Sequence, residues 1–125
     1  MSADRMKPRV FVVDDESVIA TTLAMILRQQ GFESHSFDLP LEALHAAREN
    51  APDLLISDVV MPLLSGIELA IKMRELCPNC KVLLFSGQAA TVDMLQIART
   101  QGHDFELLSK PVHPSDLLAK IRTVL

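Results

Sequence analysis

"DLLISDVV", residues 53–60, decides the fold. Leu54, Leu55 and Ile56 run together without polar alternation, and Asp58 stands at the close of the run. A short unbroken apolar stretch of this kind is the mark of a strand covered on both faces, as in a parallel sheet flanked by helices. "RVFVV" (9–13), "KVLLFS" (81–86) and "FELLS" (105–109) have a similar texture. "FESHSF" (32–37) alternates instead, with Phe32 and Ser34 on one side and Glu33, His35 and Phe37 on the other, which suits an edge strand.

Helical spacing fills the intervals. In "ESVIATTLAMILRQQG", Ile19, Leu23, Ile26, Leu27 and Gln30 fall near one face, and Gly31 ends the helix. "LPLEALHAAREN" spaces Leu41, Leu44 and Ala47 alike, with Pro40 in its first turn and Pro52 past its end. "SGIELAIKMREL" offers Ile67, Leu69, Ala70, Met73 and Leu76, and "AATVDMLQIARTQG" offers Val92, Leu95 and Ala98 or Arg99, closed by Gly102. "HPSDLLAKIRTVL" starts on Pro114 with Asp116 near the positive end of the helix dipole, and Leu117, Leu118, Ile121, Val124 and Leu125 form its apolar side. Five strands alternating with five helices predict a parallel sheet with right-handed crossovers and helices on both faces. No repeat, low-complexity segment or linker interrupts the pattern, so residues 1–125 are expected to form one domain with its core at about 8–124.

Bulk properties narrow the function. The 125 residues are 49 % hydrophobic but only 4 % aromatic, without Trp or Tyr, so the core is expected to be aliphatic, with the six methionines as filler. A net charge of −4 without a basic cluster argues against nucleic-acid binding by this domain. Apolar stretches fall far short of the roughly 20 residues that cross a bilayer, and "MSADRMKPRV" lacks a secretory apolar segment. The expectation is a soluble cytoplasmic protein with no membrane association. The cysteines of "CPNC" (Cys77, Cys80) follow a helix and lead into a strand, the reverse of a thioredoxin-type site, and no further pair completes a zinc site. They read as ordinary thiols in a turn. His103 and His113 read as solvated loop residues, His113 at a helix N-cap, and His45 as a helix residue rather than a phosphotransfer histidine.

In an open parallel α/β sheet, ligands bind outside the carboxyl ends of the strands. The first strand ends in Asp14 and Asp15, the third in Asp58, the fourth in Ser86 and the fifth in Lys110. Like charges about 4 Å apart repel by roughly 4 kcal/mol at an effective dielectric near 20, so three carboxylates in one cleft call for a cation. A hard dication such as Mg²⁺ fits, needing only a few protein oxygens beside water and phosphate. Asp58 is then placed to act as a nucleophile toward phosphorus, giving an aspartyl-phosphate. Lys110 supplies a charge and Ser86 a hydrogen bond to the phosphoryl oxygens.

These residues resemble the receiver domain of two-component response regulators over roughly Pro8 to Val124. "VVDDES" resembles the family's acidic pair. "LLISDVVMPLLSG" is similar to its phosphoacceptor segment, with Asp58 followed by Pro62 and Gly66 at the family spacing. "LLFSG" carries the hydroxyl as Ser86, followed by Gly87, which leaves room for a phosphoryl donor, and "LLSKPVHPSDLLAKI" carries the Lys110–Pro111 pair. The resemblance implies a flavodoxin-like (βα)5 sheet in strand order 2-1-3-4-5. It also implies Mg²⁺, or Mn²⁺, on Asp15, Asp58 and the backbone carbonyl of Val60, with Asp14 acting largely through water. Further implications are a cis Lys110–Pro111 peptide, a phosphohistidine donor on a sensor histidine kinase or histidine phosphotransfer protein, and competence toward small acyl phosphates. Output would pass through protein contacts of residues about 89–124, including a phosphorylation-dependent dimer. Self-phosphotransfer and autodephosphorylation would be its only chemistry, so the chain is not expected to be an enzyme. The phosphate lifetime would depend partly on Val60 and Gln88.

One departure concerns the signal. Many receivers carry Tyr or Phe three residues before the lysine; here that position is Leu107, and "GHDFELLSKP" runs one residue longer than usual. Phe105 shares a side with Leu107, one pleat further from the site. Phe105 substitutes for the ring, a leucine rotamer change suffices, or aromatic coupling is absent. Two other classes compete with the switch. A haloacid-dehalogenase-type phosphatase wants D-x-D, whereas Glu16 stands two residues after Asp14. A pseudo-receiver interaction module without phosphorylation would not need the complete set of Asp14, Asp15, Asp58, Ser86 and Lys110. Ending at Leu125 suits both a stand-alone regulator and a piece of a longer one.

Overall fold

The computed structural model describes residues 7–87 and 91–125. Five strands, β1 (Arg9–Val13), β2 (Glu33–Phe37), β3 (Leu54–Asp58), β4 (Lys81–Ser86) and β5 (Glu106–Ser109), alternate with five helices. The helices are α1 (Ser17–Gln29), α2 (Pro40–Glu49), α3 (Gly66–Leu76), α4 (Thr91–Thr100) and α5 (Pro114–Val124). The sheet is parallel throughout in the order β2-β1-β3-β4-β5. The expected architecture and strand order are therefore present, and "FESHSF" is indeed an edge.

Strand alternation divides the core into two layers. Phe11, Val13, Leu55, Val82 and Leu84 face one side with Ala43, Leu44, Ile67, Leu69, Met73 and Ala98, under α2, α3 and α4. Val10, Val12, Leu54, Ile56, Leu83 and Phe85 face the other with Ala20, Ala24, Leu27, Leu117 and Ile121, under α1 and α5. Leu107 packs in the first layer and Leu108 in the second. Each strand thus shows period two although almost every residue is apolar, because both faces are covered.

The helix faces differ from the sequence pattern in detail. Ala20 and Ala24 carry the burial of α1 with Leu27, while Ile19, Leu23 and Ile26 are half-buried and Gln30 is exposed. On α2 the buried set is Pro40, Ala43, Leu44 and Ala47, and Leu41 points outward. Leu76 and Leu125 are likewise exposed. Val92 lies outside the residues whose side chains are described. The physical reason is size: a helix lying close on a sheet puts small residues along its line of contact and large ones at the flanks.

Helix starts follow their expected chemistry. Ser65 and Glu68 form a reciprocal capping box on α3, each side chain bonded to the other's backbone N–H at 3.1 Å. His113 caps α5 as expected, accepting from the Ser115 N–H, with Pro114 in the first turn. Cys77 and Cys80 are free and buried, and burial pushes the Cys80 thiol up to about 12. Thiols held neutral in this way fit the turn reading rather than a redox pair.

Candidate functional site

Each predicted site residue stands where a strand ends. Asp14 and Asp15 follow β1, Asp58 closes β3, Ser86 closes β4 and Lys110 follows β5. Strand alternation explains why three of them meet. Asp14 continues the parity of Val10 and Val12, Asp58 that of Leu54 and Ile56, and Lys110 that of Leu108, all on the α1/α5 side. Ser86 continues the parity of Val82 and Leu84, on the opposite side.

Carboxylate oxygens of Asp14, Asp15 and Asp58 lie within 4.8 Å of one another. Asp14 is 0 % and Asp58 7 % exposed, whereas Asp15 is open to solvent. Lys110 Nζ lies 3.3 Å from Asp58 Oδ2 and 3.5 Å from Asp14 Oδ2. The Glu16 N–H donates to Asp14 Oδ1 at 2.9 Å. The Phe85 ring underlies the same ammonium, 5.1 Å from its centroid. Sequence reading missed Phe85, although its alternation with Ser86 on β4 was a usable signal.

Burial is the largest influence on both inner carboxyls and raises them above the ordinary value near 3.8. For Asp14 the Glu16 N–H and Lys110 oppose that rise. For Asp58 Lys110 opposes it, and the charge of Asp15 adds to it. Lys110 is held above its ordinary value: burial works to lower it, and the charges of Asp14 and Asp58 together outweigh that burial. Three carboxylates against one ammonium leave the cluster short of positive charge when all are ionised. Hard oxygen donors at this spacing suit a divalent cation such as Mg²⁺ or Mn²⁺, so the donor set fits the metal that the resemblance implied.

The connections hold the cluster in register. The Gly66 N–H donates to the Val59 carbonyl at 2.8 Å, folding the β3–α3 loop back on Asp58. The Lys110 N–H donates to the Ser86 carbonyl at 3.0 Å, tying the ends of β4 and β5 through backbone. The Ser86 side chain is buried. Lys110–Pro111 is cis, as expected. Val60 opens the β3–α3 loop with a partly exposed side chain. Among the described residues, a Cβ on Gly87 would meet Lys110 Cβ at 3.6 Å, an ordinary contact, so their packing does not demand glycine there. Gln88 lies outside the described residues.

Phe105 immediately precedes β5, at the end away from the site. It is buried in the α2–α4 layer, with the Arg74 guanidinium 4.5 Å over its ring and the His103 ring stacked at 6.2 Å. It stands five positions before Lys110, about 16 Å along a strand. Phe105 is therefore not placed to act as the ring beside Ser86, which leaves Leu107 or no aromatic coupling.

Comparisons with known proteins agree with this geometry. Residues 10–122 match the family described as the response regulator receiver domain. The transcriptional regulatory protein CreB of Escherichia coli is 36 % identical over 116 residues, covering 93 % of this chain and 50 % of that protein. The chain spans about half the length of the curated relatives it matches. A response regulator receiver domain protein from Clostridium thermocellum superposes with a TM-score of 0.82 at 30 % identity, over 94 % of this chain and 93 % of that one. Vibrio cholerae chemotaxis protein CheY4 gives 0.82 at 28 % identity, over 95 % and 99 %. Among the described residues no helix is long and apolar enough to cross a membrane. With an acidic cluster and a paired lysine on the sheet's carboxyl edge, and with nine-tenths of its length matched, the chain belongs to the response regulator receiver domain family.

Proposed function

We propose that the chain is a phosphorylation switch in which Asp58 accepts a phosphoryl group from a phosphohistidine on a sensor histidine kinase or histidine phosphotransfer protein. The observation that carries this reading is Asp58 itself, a nearly buried carboxylate beside two others and 3.3 Å from an ammonium. An Asp58 oxygen forms the new bond to phosphorus as the phosphorus–nitrogen bond breaks, and the electron pair leaves with the imidazole. Lys110 then exchanges a carboxylate for a phosphoryl oxygen, and Ser86 donates its hydroxyl hydrogen from the other side of the sheet. Asp14, Asp15, Asp58 and the Val60 carbonyl would hold Mg²⁺ or Mn²⁺, which supplies charge neutralisation at the phosphoryl oxygens.

The chain acts on no separate substrate in this reading; it phosphorylates and dephosphorylates only itself. It works as one domain, in the cytoplasm. Output passes through protein contacts of α4, β5 and α5, about residues 89–124, with dimerisation one form of it. The test is intact mass after incubation with Mg²⁺ and acetyl phosphate. One added phosphoryl group on the parent, and none on Asp58→Asn, is the expected result. Absence of the adduct together with failure to bind beryllofluoride would leave a pseudo-receiver.

A further inference from the structure

Leu63 has a backbone that leucine rarely adopts. Its φ is +71°, and the Leu64 N–H donates to the Pro62 carbonyl at 2.8 Å, which makes Leu63 the centre of a γ-turn of the strained hand. A non-glycine residue there is destabilised by steric crowding. Burial does not offset that within the chain, because the side chain is 90 % exposed. Sequence reading had no signal for it, since leucine is not a turn former.

A second observation concerns where exposed apolar side chains lie. Of the nine large hydrophobic side chains exposed among the described residues, five (Val18, Leu39, Leu41, Val60 and Leu63) stand in strand-to-helix connections or first helical turns. Those positions follow β1, β2 and β3 and border the edge of the sheet that carries Asp58. A monomer gains nothing from apolar side chains in water around an acidic cleft. A protein that must reach the recessed Asp58 has to close over this border, and apolar side chains that exclude water favour such contact and protect the transfer from hydrolysis.

We propose that Leu63 is a specificity-determining contact, held outward by its strained turn to meet an apolar surface beside the phosphohistidine of the donor protein. This rests on Asp58 being the phosphoacceptor. A small acyl phosphate needs no such contact, so the two kinds of donor separate this role from that of the site itself.

The experiment compares Leu63→Gly, Leu63→Asn and Leu63→Met with the parent. One donor is acetyl phosphate with Mg²⁺. The other is the phosphorylated histidine kinase of the source genome that transfers fastest to the parent. Labelling by acetyl phosphate is expected to stay within about twofold of the parent in all three variants. Transfer from the kinase is expected to fall about tenfold for Leu63→Gly and Leu63→Asn, the loss typical of a truncated apolar contact residue, and to persist for Leu63→Met. The melting temperature of Leu63→Gly and Leu63→Asn should match or exceed that of the parent, since both tolerate positive φ. Equal kinase transfer by all variants, a parallel fall with both donors, or no kinase transfer to a parent that acetyl phosphate labels would each overturn the proposal. A parent that acetyl phosphate does not label and that fails to bind beryllofluoride would instead overturn the phosphoacceptor reading beneath it.

Discussion

Gly66 opens α3 after the β3–α3 loop and Gly87 follows β4 directly, and the structure gives them opposite tolerance. A Cβ on Gly66 would lie 2.0 Å from the Asp58 carbonyl oxygen and 3.0 Å from Val59 Cα, both rigid backbone. Gly66→Ala is expected to destabilise the chain by about 1–3 kcal/mol, the usual range for forced overpacking. Urea denaturation reads that loss, and acetyl phosphate labelling should fall with it because the clash bears on the peptide of Asp58, the proposed acceptor. Gly87→Ala should change stability by less than about 0.5 kcal/mol, since its Cβ would meet Lys110 Cβ at ordinary contact distance. Any larger effect of Gly87→Ala on phosphorylation then reports access of the donor. At this scale the sequence was generous with the chemical groups: Asp14, Asp15, Asp58, Ser86 and Lys110 were all legible from their places at strand ends. Conformation was less legible. Nothing in "MPLLSG" marks Leu63 as left-handed, because that geometry follows from how the loop closes on Val59.

Among the elements, α3 bears most directly on the site, because its first residue folds back onto β3. Its capping box satisfies the helix N-terminus through Ser65 and Glu68. Ser65→Ala should lower stability by about 1 kcal/mol, visible in the urea midpoint. Its effect on acetyl phosphate labelling should be small, since the Gly66–Val59 hydrogen bond uses backbone only. The start of β5 is fixed differently. Phe105 lies beneath Arg74, and the Arg99 side chain bonds Asp104 at 3.2 Å, so α3, α4 and the α4–β5 loop meet there. Phe105→Leu should cost about 1–3 kcal/mol through lost packing while leaving the extent of phosphorylation unchanged. Phosphorylation lost in proportion would instead tie Phe105 to the switch. Strand boundaries were readable to within a residue because apolar runs and turn residues change abruptly. Helix faces were readable only in part. On α1, Ala20 and Ala24 do the close packing expected of the larger Ile19, Leu23 and Ile26, and on α2 Ala43 does that expected of Leu41; residue size within a contact line is a tertiary property.

The whole molecule carries the acidic cluster as a net liability when no cation is bound. Asp14 and Asp58 have raised carboxyls, so the folded chain binds their protons more tightly than the unfolded chain does. Their stabilising contribution is therefore fully present below the ordinary value near 3.8 and is lost as pH rises through the raised values. Lys110, raised as well, contributes at neutral pH and loses that contribution only as pH climbs past its ordinary 10.5 and its folded value. In metal-free buffer Asp58→Asn should thus melt a few degrees above the parent at pH 7, on the order of 1 kcal/mol, with the gap closing toward pH 4. Adding Mg²⁺ should raise the parent's melting temperature and reverse the order of the two proteins. A gap that persists at pH 4 would assign the effect to something other than carboxylate ionisation.

Strand parity has a mechanical consequence. Lys110 reaches the site from the α1/α5 layer and Ser86 from the layer under α2, α3 and α4, with β4 and β5 joined between them through the Lys110 N–H. Any group on Asp58 that both residues grip works as a rivet driven through the sheet's edge, clamping two layers that otherwise share only the strands. If Asp58 takes a phosphoryl group as proposed, the tension of that clamp would fall on the β4–β5 seam, and the seam would be the joint about which this receiver bends.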